Sequence, residues 1–337
     1  MSATAPVGRA YPWPVPDLHD VVRAALGPGR RLTGVERLGG GTRKGVHRLT
    51  LDDGTTAIAY VWAPELDSWA GRPDPDEDVG LPGGGGPREL TTVTAILQAA
   101  GVRVPELSLV DPDARLHPVP VAVVEDVRGP TLDTLLRTDP AAARAAVRDL
   151  CAALARMEAT RAPGFGPPGR LRTDTSFAEA VAARAGQHLE RAAAAVPSIA
   201  VAGARVREVL GVRAAAVAPR ESCCLVHGEL GPDHVIVRDG GAVLIDVEGA
   251  GYGDSEWEHA YVRLRMGSAA PPAVRPLDPA RLRLYRLAHS LSLIAGPLRM
   301  LGGPHPEQEF WRALVEHHSA RVGADVDRPQ PGLRSPP

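Results

Sequence analysis

The residues best equipped for chemistry sit in two short stretches. In Leu225–Val237, which reads LVHGELGPDHVIV, the side chains of His227, Glu229, Asp233 and His234 crowd between two apolar, strand-like runs. Polar and acidic groups at strand ends beside a loop are a common place for reactive chemistry. A few residues later, Leu244-Ile-Asp-Val-Glu-Gly249 does something similar, an apolar run ending in Asp246 and Glu248. In a strand, residues two apart share a face. Two close carboxylates suit a hard divalent cation such as Mg²⁺. The other reading of this stretch is a turn that caps the following segment.

These stretches need a scaffold. A 337-residue chain gives a length prior of about two domains or lobes. With 44% apolar and 23% charged residues, it has the make-up of a globular protein with a sizeable core. The net charge of −2 argues against nucleic acid or an anionic membrane as partner. No apolar run approaches the ~18 residues of a membrane span, and the first sixteen residues lack a signal peptide's pattern, so a cytoplasmic location is expected. The three cysteines, Cys151, Cys223 and Cys224, make no disulfide framework or metal spacing, and Cys223 and Cys224 read as buried strand residues. Of the 38 basic residues only Lys44 is a lysine, so any role that requires a lysine falls to it.

Residues 1–16 are Pro-rich and expected to be loose. A short helix over 17–26 precedes turn-punctuated strands at 31–38, 46–51 and 56–62, with a glycine-rich loop at 39–45. A Pro/Gly/Asp-rich insert, 67–86, ends in four glycines and reads as flexible linker. Arg88–Ala100 is helical, with Glu89, Val93, Ile96 and Ala100 in one sector. Strands at 107–110 and 119–125 complete a β-rich lobe over 17–128. From 129 to 322 the chain is mainly helical, interrupted by β-like runs at 223–226, 235–237 and 242–247. Residues 323–337 form a Pro-rich tail expected to be disordered. The fold class is α+β.

His227-Gly-Glu-Leu-Gly-Pro-Asp-His234 resembles the catalytic loop of aminoglycoside phosphotransferases and choline kinase-like enzymes, whose pattern is His-Gly-Asp, four residues, then Asn. Leu244-Ile-Asp246 and Gly251-Tyr-Gly-Asp-Ser-Glu-Trp257 resemble the segments that follow it. The resemblance spans most of the chain. It implies a protein-kinase-like fold of two lobes, a small β-rich N-lobe and a larger mainly helical C-lobe. It further implies an ATP-dependent phosphotransferase acting on a hydroxyl of a small-molecule acceptor, with Mg²⁺ or Mn²⁺; the alternative is a non-catalytic pseudokinase of the same fold. Such transfer depends on positioning and charge neutralisation rather than covalent help. By the resemblance, Asp246 holds the metal, joined by Glu248, and Glu229 orients or deprotonates the acceptor. His234 stands at the second metal position, with Asp233 beside it. Gly39, Gly40, Gly41, Arg43 and Lys44 lie in the loop that covers the phosphates. Glu89 matches the helix glutamate that pairs with a strand lysine, and Glu125–Val127 match the hinge that meets adenine. The oligomeric state and the acceptor's identity are not readable.

Three positions depart from the pattern. Glu229 replaces Asp, which moves the carboxylate by about 1 Å. His234 replaces Asn; imidazole suits Mn²⁺ or Zn²⁺ better than Mg²⁺, or the ring only hydrogen-bonds the loop. Tyr60 occupies the place of the strand lysine and supplies no charge near pH 7, though it could hydrogen-bond Glu89. Lys44, with Arg43, is the candidate for the missing charge; otherwise both are solvated loop residues. The loop is neither a Walker A sequence nor G-x-G-x-x-G. Glu256–His259 with Arg263 and Arg265 read either as acceptor-pocket lining or as ordinary helical ion pairs. Glu316-His-His318 reads as a solvated helix face.

Overall fold

A computed structural model describes residues 17–39, 41–67, 80–83, 85–302 and 307–328. Residues 1–16, most of the 67–86 insert, Gly40 and the end of the C-terminal tail lie outside the described residues. The chain forms two compact units. The first is built from the described residues of 1–73, 83–157 and 232–250, the second from those of 74–82, 158–231 and 251–337. The units therefore interleave in sequence. Two helices after residue 129 and the hairpin that follows the catalytic-loop motif belong with the β-rich part, so its boundary is not at 128.

In the first unit, α1 (His19–Leu26) is followed by β1 (Leu32–Arg37), β2 (Gly45–Leu51) and β3 (Thr56–Val61). After α2 (Pro87–Ala99) come β4 (Leu107–Asp111) and β5 (Val121–Glu125). The strands make one antiparallel sheet in the order β1-β2-β3-β5-β4. β2 alternates between buried and less buried residues, whereas the central β3 and β5 are buried almost throughout, as expected for strands covered on both faces. Leu18, Val21 and Val22 of the α1 region pack on Leu49, Leu51 and Val123 of the sheet. The buried stripe of α2 is Leu90, Val93, Thr94 and Leu97. The stripe is thus displaced from the sector at Glu89, Ile96 and Ala100, and Glu89 lies half-buried at its edge.

The same unit contains α3 (Leu132–Thr138) and α4 (Pro140–Ala159, whose last residues fall in the second unit). Its hairpin of β8 (Val235–Arg238) and β9 (Gly241–Leu244) turns through Asp239 and Gly240, both at positive φ. This is the Asp-Gly turn that best matches strand twist. β9 stops at Leu244, so the extended run to Val247 is not formed.

The second unit contains β6 (Arg161–Ala162), α5 (Phe177–Ala195), α6 (Pro197–Ala215), β7 (Cys223–Val226) and β10 (Gly251–Gly253). It continues with α7 (Ser255–Met266), α8 (Pro279–Leu301) and α9 (Gln308–Val326). Ser176 and Glu179 form a reciprocal capping box at the start of α5. β7 is the centre of a small sheet, β10-β7-β6. Phe165, Phe177, Trp257 and Tyr285 meet edge to face at 5.6–5.8 Å within its core. Cys223 and Cys224 are buried, and burial pushes both thiols up, Cys223 to about 11.

Two expectations fail at the C-terminus. The tail does not begin at 323, because α9 runs to Val326 and Asp325 is buried against Arg213 and Arg286. His317 is exposed but His318 is buried, so the pair is not a solvated face. Among the described residues no helix is long and apolar enough to cross a membrane.

Candidate functional site

The site in the first unit is organised around Lys44. Leu38 donates its backbone N–H to Val46 O at 2.8 Å, which closes the β1–β2 ladder and leaves 39–45 as the connecting loop. Gly41 has φ +77°, and a Cβ there would collide with the carbonyl of Lys44. Glycine is therefore required for the loop to fold back at this point. Gly45 pairs with Val61 and Val46 with Tyr60. Lys44 thus lies beside β3 without belonging to it.

Its side chain is buried, and the bland reading of a solvated loop charge fails. The ammonium bonds Asp246 Oδ1 at 2.6 Å and Glu248 Oε1. It lies 4.4 Å from the Tyr60 ring centroid and 5.9 Å from that of Trp62. A buried ammonium is costly unless paired. Here two carboxylates pair it, and aromatic faces attract it further. Lys44 thus brings a positive charge over Tyr60, the residue that stands where the resemblance puts a strand lysine. Tyr60 makes no hydrogen bond to Glu89. Burial, reinforced by the negative Asp246, pushes its phenol well up, so it stays neutral.

Glu89 does not pair with the lysine. Its Oε2 accepts the backbone N–H of Gly86 at 3.2 Å, at the start of α2. Arg43 is half-buried, and Gly39 and Gly41 are exposed.

Asp246 and Glu248 are brought together by a turn, not by the face of a strand. Asp246 takes the left-handed conformation, φ 62° and ψ 42°, and Val247–Gly249 form a short 3-10 turn. Gly83 and Gly85 of the four-glycine run pack on this turn. Gly83 donates its N–H to Gly249 O at 2.8 Å, and a Cβ on Gly85 would overlap the backbone of Glu248. The described part of that run is a packing element, not a free linker.

His234 Nε2 lies 3.6 Å from Asp246 Oδ2, and Ile245 N–H donates to His234 O at 3.0 Å. Asp233 is exposed. Glu248 is nine-tenths buried, and its Oε2 has no hydrogen-bond partner. A buried orphan oxygen beside a second carboxylate fits a hard cation. Among the described residues no group of three or more His, Cys, Asp and Glu could hold a metal by itself. The donor set therefore suits an ion that takes its remaining ligands from phosphates and water, as Mg²⁺ usually does.

At the candidate hinge, the Glu125 side chain pairs with Arg238, and its N–H donates to Glu106 O at 2.8 Å. The buried carboxylate of Asp126 takes Arg48 and Arg128, each at 2.8 Å.

In the second unit, Glu229 is exposed at the tip of the loop, with Gly231 N–H donating to its carbonyl at 2.9 Å. Gly228, at φ +92°, gives the loop its turn. Beneath it the backbone N–H groups of His227 and Gly228 both donate to Glu258 Oε2, at 2.5 and 3.0 Å. Glu256 holds Arg220 through two bonds of 2.6 and 2.7 Å. His259 Nε2 lies 2.7 Å from Glu158. The side chains of Glu256, Glu258 and His259 are thus engaged within the fold, while Arg263 and Arg265 are exposed. Sequence reading missed the role of Glu258; its spacing of three and four from the apolar Tyr261 and Val262 was the available signal.

An antiparallel β-rich unit with a glycine loop and an acidic turn, and a mainly helical unit with a His-Gly-Glu loop, define the α+β, protein-kinase-like class. The model of the phosphotransferase enzyme family matches residues 88–293, and the chain belongs to that family. No curated protein matches the chain in sequence. Among solved structures, a thermostable mutant of aminoglycoside phosphotransferase APH(4)-Ia is similar at 16% identity and TM-score 0.62, over 91% of this chain and 97% of that one. A second structure of a thermostable mutant of that enzyme is a ternary complex with ADP and hygromycin B. A putative aminoglycoside phosphotransferase from Ralstonia eutropha JMP134 gives 12% identity and TM-score 0.62, covering 92% and 96%. A putative fructosamine-3-kinase from Haemophilus somnus 129PT gives 12% and 0.59, covering 90% and 96%. At these identities the likeness is one of fold.

Proposed function

We propose that this family member transfers the γ-phosphoryl group of ATP to a hydroxyl of a small hydroxylated molecule, in the cytoplasm. The observation that carries the reading is the buried Lys44 ammonium set against Asp246 and Glu248. A phosphotransferase needs a positive charge for the nucleotide phosphates and carboxylates for their metal. This chain has one lysine, and it stands at those carboxylates.

Asp246 and Glu248 would hold Mg²⁺ or Mn²⁺, with His234 and Asp233 as flanking donors. When bound, such an ion neutralises charge on the transferring phosphoryl group. Gly39–Gly45 would cover the phosphates with backbone N–H groups, and Lys44, with Arg43, would supply charge to them. The 125–127 segment would meet the base. Glu229 would orient the acceptor O–H and accept its proton as the oxygen bonds to phosphorus. Its longer side chain, compared with aspartate, sets an acceptor oxygen further from the loop backbone. The loop itself is held in place by Glu258.

The test is ADP release by the full chain with Mg²⁺ and a panel of acceptors, including an aminoglycoside, choline and a fructosamine. Acceptor-dependent release should appear with one class and fall by roughly 10²–10³-fold in Asp246→Asn. Nucleotide binding with no release for any acceptor, and no effect of Asp246→Asn, would instead identify a non-catalytic binding protein.

A further inference from the structure

We infer that the Lys44 ammonium and a divalent cation are alternative occupants of the same carboxylates, so that this protein takes up its metal with a nucleotide and not before it. The inference rests on Asp246 and Glu248 being the cation ligands, and adds an order of loading to that reading.

Three observations carry it. Lys44 has only 3% of its side chain exposed, and its ammonium contacts one oxygen of each carboxylate. The remaining oxygen of Glu248 is buried with no partner, so the pair still has capacity for a cation. Yet a Mg²⁺ ion needs oxygens at about 2.1 Å, and a dication at that distance would be driven against the ammonium by like-charge repulsion. One of the two must leave.

A metal ion alone offers Lys44 no new partner. Leaving would strand an ammonium that its two carboxylates and the Tyr60 face now satisfy. A nucleotide changes this. Its phosphates, lying under the same glycine loop that carries Lys44, give the ammonium a polyanion to follow, and the carboxylates open as it goes. The apparent affinity for metal alone is then reduced by the small fraction of molecules with Lys44 withdrawn.

The test uses the full chain and Mn²⁺, with free Mn²⁺ followed by its electron paramagnetic resonance signal. Wild-type protein should take up Mn²⁺ at least about tenfold more tightly with AMP-PNP than without. Lys44→Met should take up Mn²⁺ alone at least about tenfold more tightly than wild type. Lys44→Arg, which keeps the cation, should stay closed, and adding Asp246→Asn to Lys44→Met should abolish the gain. Equal uptake by wild type and Lys44→Met without nucleotide would overturn the inference.

A second readout needs no variant. Since Lys44 is the only lysine, ¹³C-lysine labelling gives a single side-chain resonance set. Mg²⁺ alone should leave it in place and Mg²⁺ with AMP-PNP should move it. Movement by Mg²⁺ alone would overturn the order of loading. If AMP-PNP moved nothing and bound nowhere, the phosphotransferase reading would fail, while Mn²⁺ uptake by Lys44→Met would still decide whether the lysine blocks the carboxylates.

Discussion

Two acidic clusters, one in each unit, are used in opposite ways. In the first, Asp246 and Glu248 converge on one ammonium and leave a buried oxygen without a partner. In the second, the acidic cluster at the start of α7 is taken up by the fold. Asp254 is held by Arg281 and the Tyr285 hydroxyl, Glu256 by Arg220, and one oxygen of Glu258 by two loop amides. Carboxylates satisfied from inside the fold are scaffold. Carboxylates that converge on a shared ammonium present that pair to a ligand. The distinction cannot be read from residue type or local spacing, because Asp-x-Glu and Glu-x-Glu look alike in sequence.

This contrast can be broken by substitution. The largest effect on stability should come from Arg281→Ala, which takes the nearest cation from the buried Asp254 and leaves it only the Tyr285 hydroxyl and the more distant Arg220. Breaking such a pair costs about 3–5 kcal/mol, so the melting temperature should fall by about 10 °C. A change under a few degrees would mean that the network is not the scaffold described.

Glu229→Gln should do the reverse. Its carboxylate is exposed, so the melting temperature should stay within about a degree while transfer falls by about 10²-fold, the lower end for loss of a general base. Equal losses of stability and rate would contradict its assignment.

The smallest effect is on pH dependence. Burial holds His289 and His318 of the second unit neutral, each with a pKa of about 3 against an ordinary 6.5. His289 stacks on Trp257 and bonds its carbonyl, which opposes the effect of burial, while the nearby charge of Arg184 adds to it. Below about pH 6.5 the unfolded chain gains protons at both rings and the folded chain does not. The stability of the neutral rings is therefore full above that pH and is lost as pH falls toward 3. Each ring adds a slope of about 1.4 kcal/mol per pH unit. Urea unfolding of wild type and His289→Asn between about pH 6 and 4 should show the steeper loss in wild type; equal slopes would refute the contribution.

Much of the fold was legible because local signals agreed with tertiary structure. The five strands of the β-rich sheet and β7 fall within a residue or two of where periodicity and turn residues put them. The interleaving of the units was not legible, because it depends on which partner the 232–250 hairpin finds. The closeness of Asp246 and Glu248 was legible, but not the means by which they meet. An extended strand would have aligned them, but the chain achieves it through a left-handed Asp246, a conformation that non-glycine residues seldom adopt. The glycines at 83 and 85 read as linker because close backbone approach leaves no composition signal distinct from flexibility. Lys44 was legible as a candidate by elimination, and only the fold shows which carboxylates it meets.

The central claim is that Lys44 supplies the phosphate-binding charge that Tyr60 cannot. Its most direct test is the dissociation constant for metal-free AMP-PNP in wild type and Lys44→Met, measured by calorimetry on proteins of matched folding, so that release of the carboxylates to a metal does not enter. Loss of a charge-assisted contact of about 1.5–3 kcal/mol should weaken binding by roughly 10–100-fold, with Lys44→Arg in between. Affinity unchanged within about twofold would contradict the account and leave Lys44 a structural ion pair.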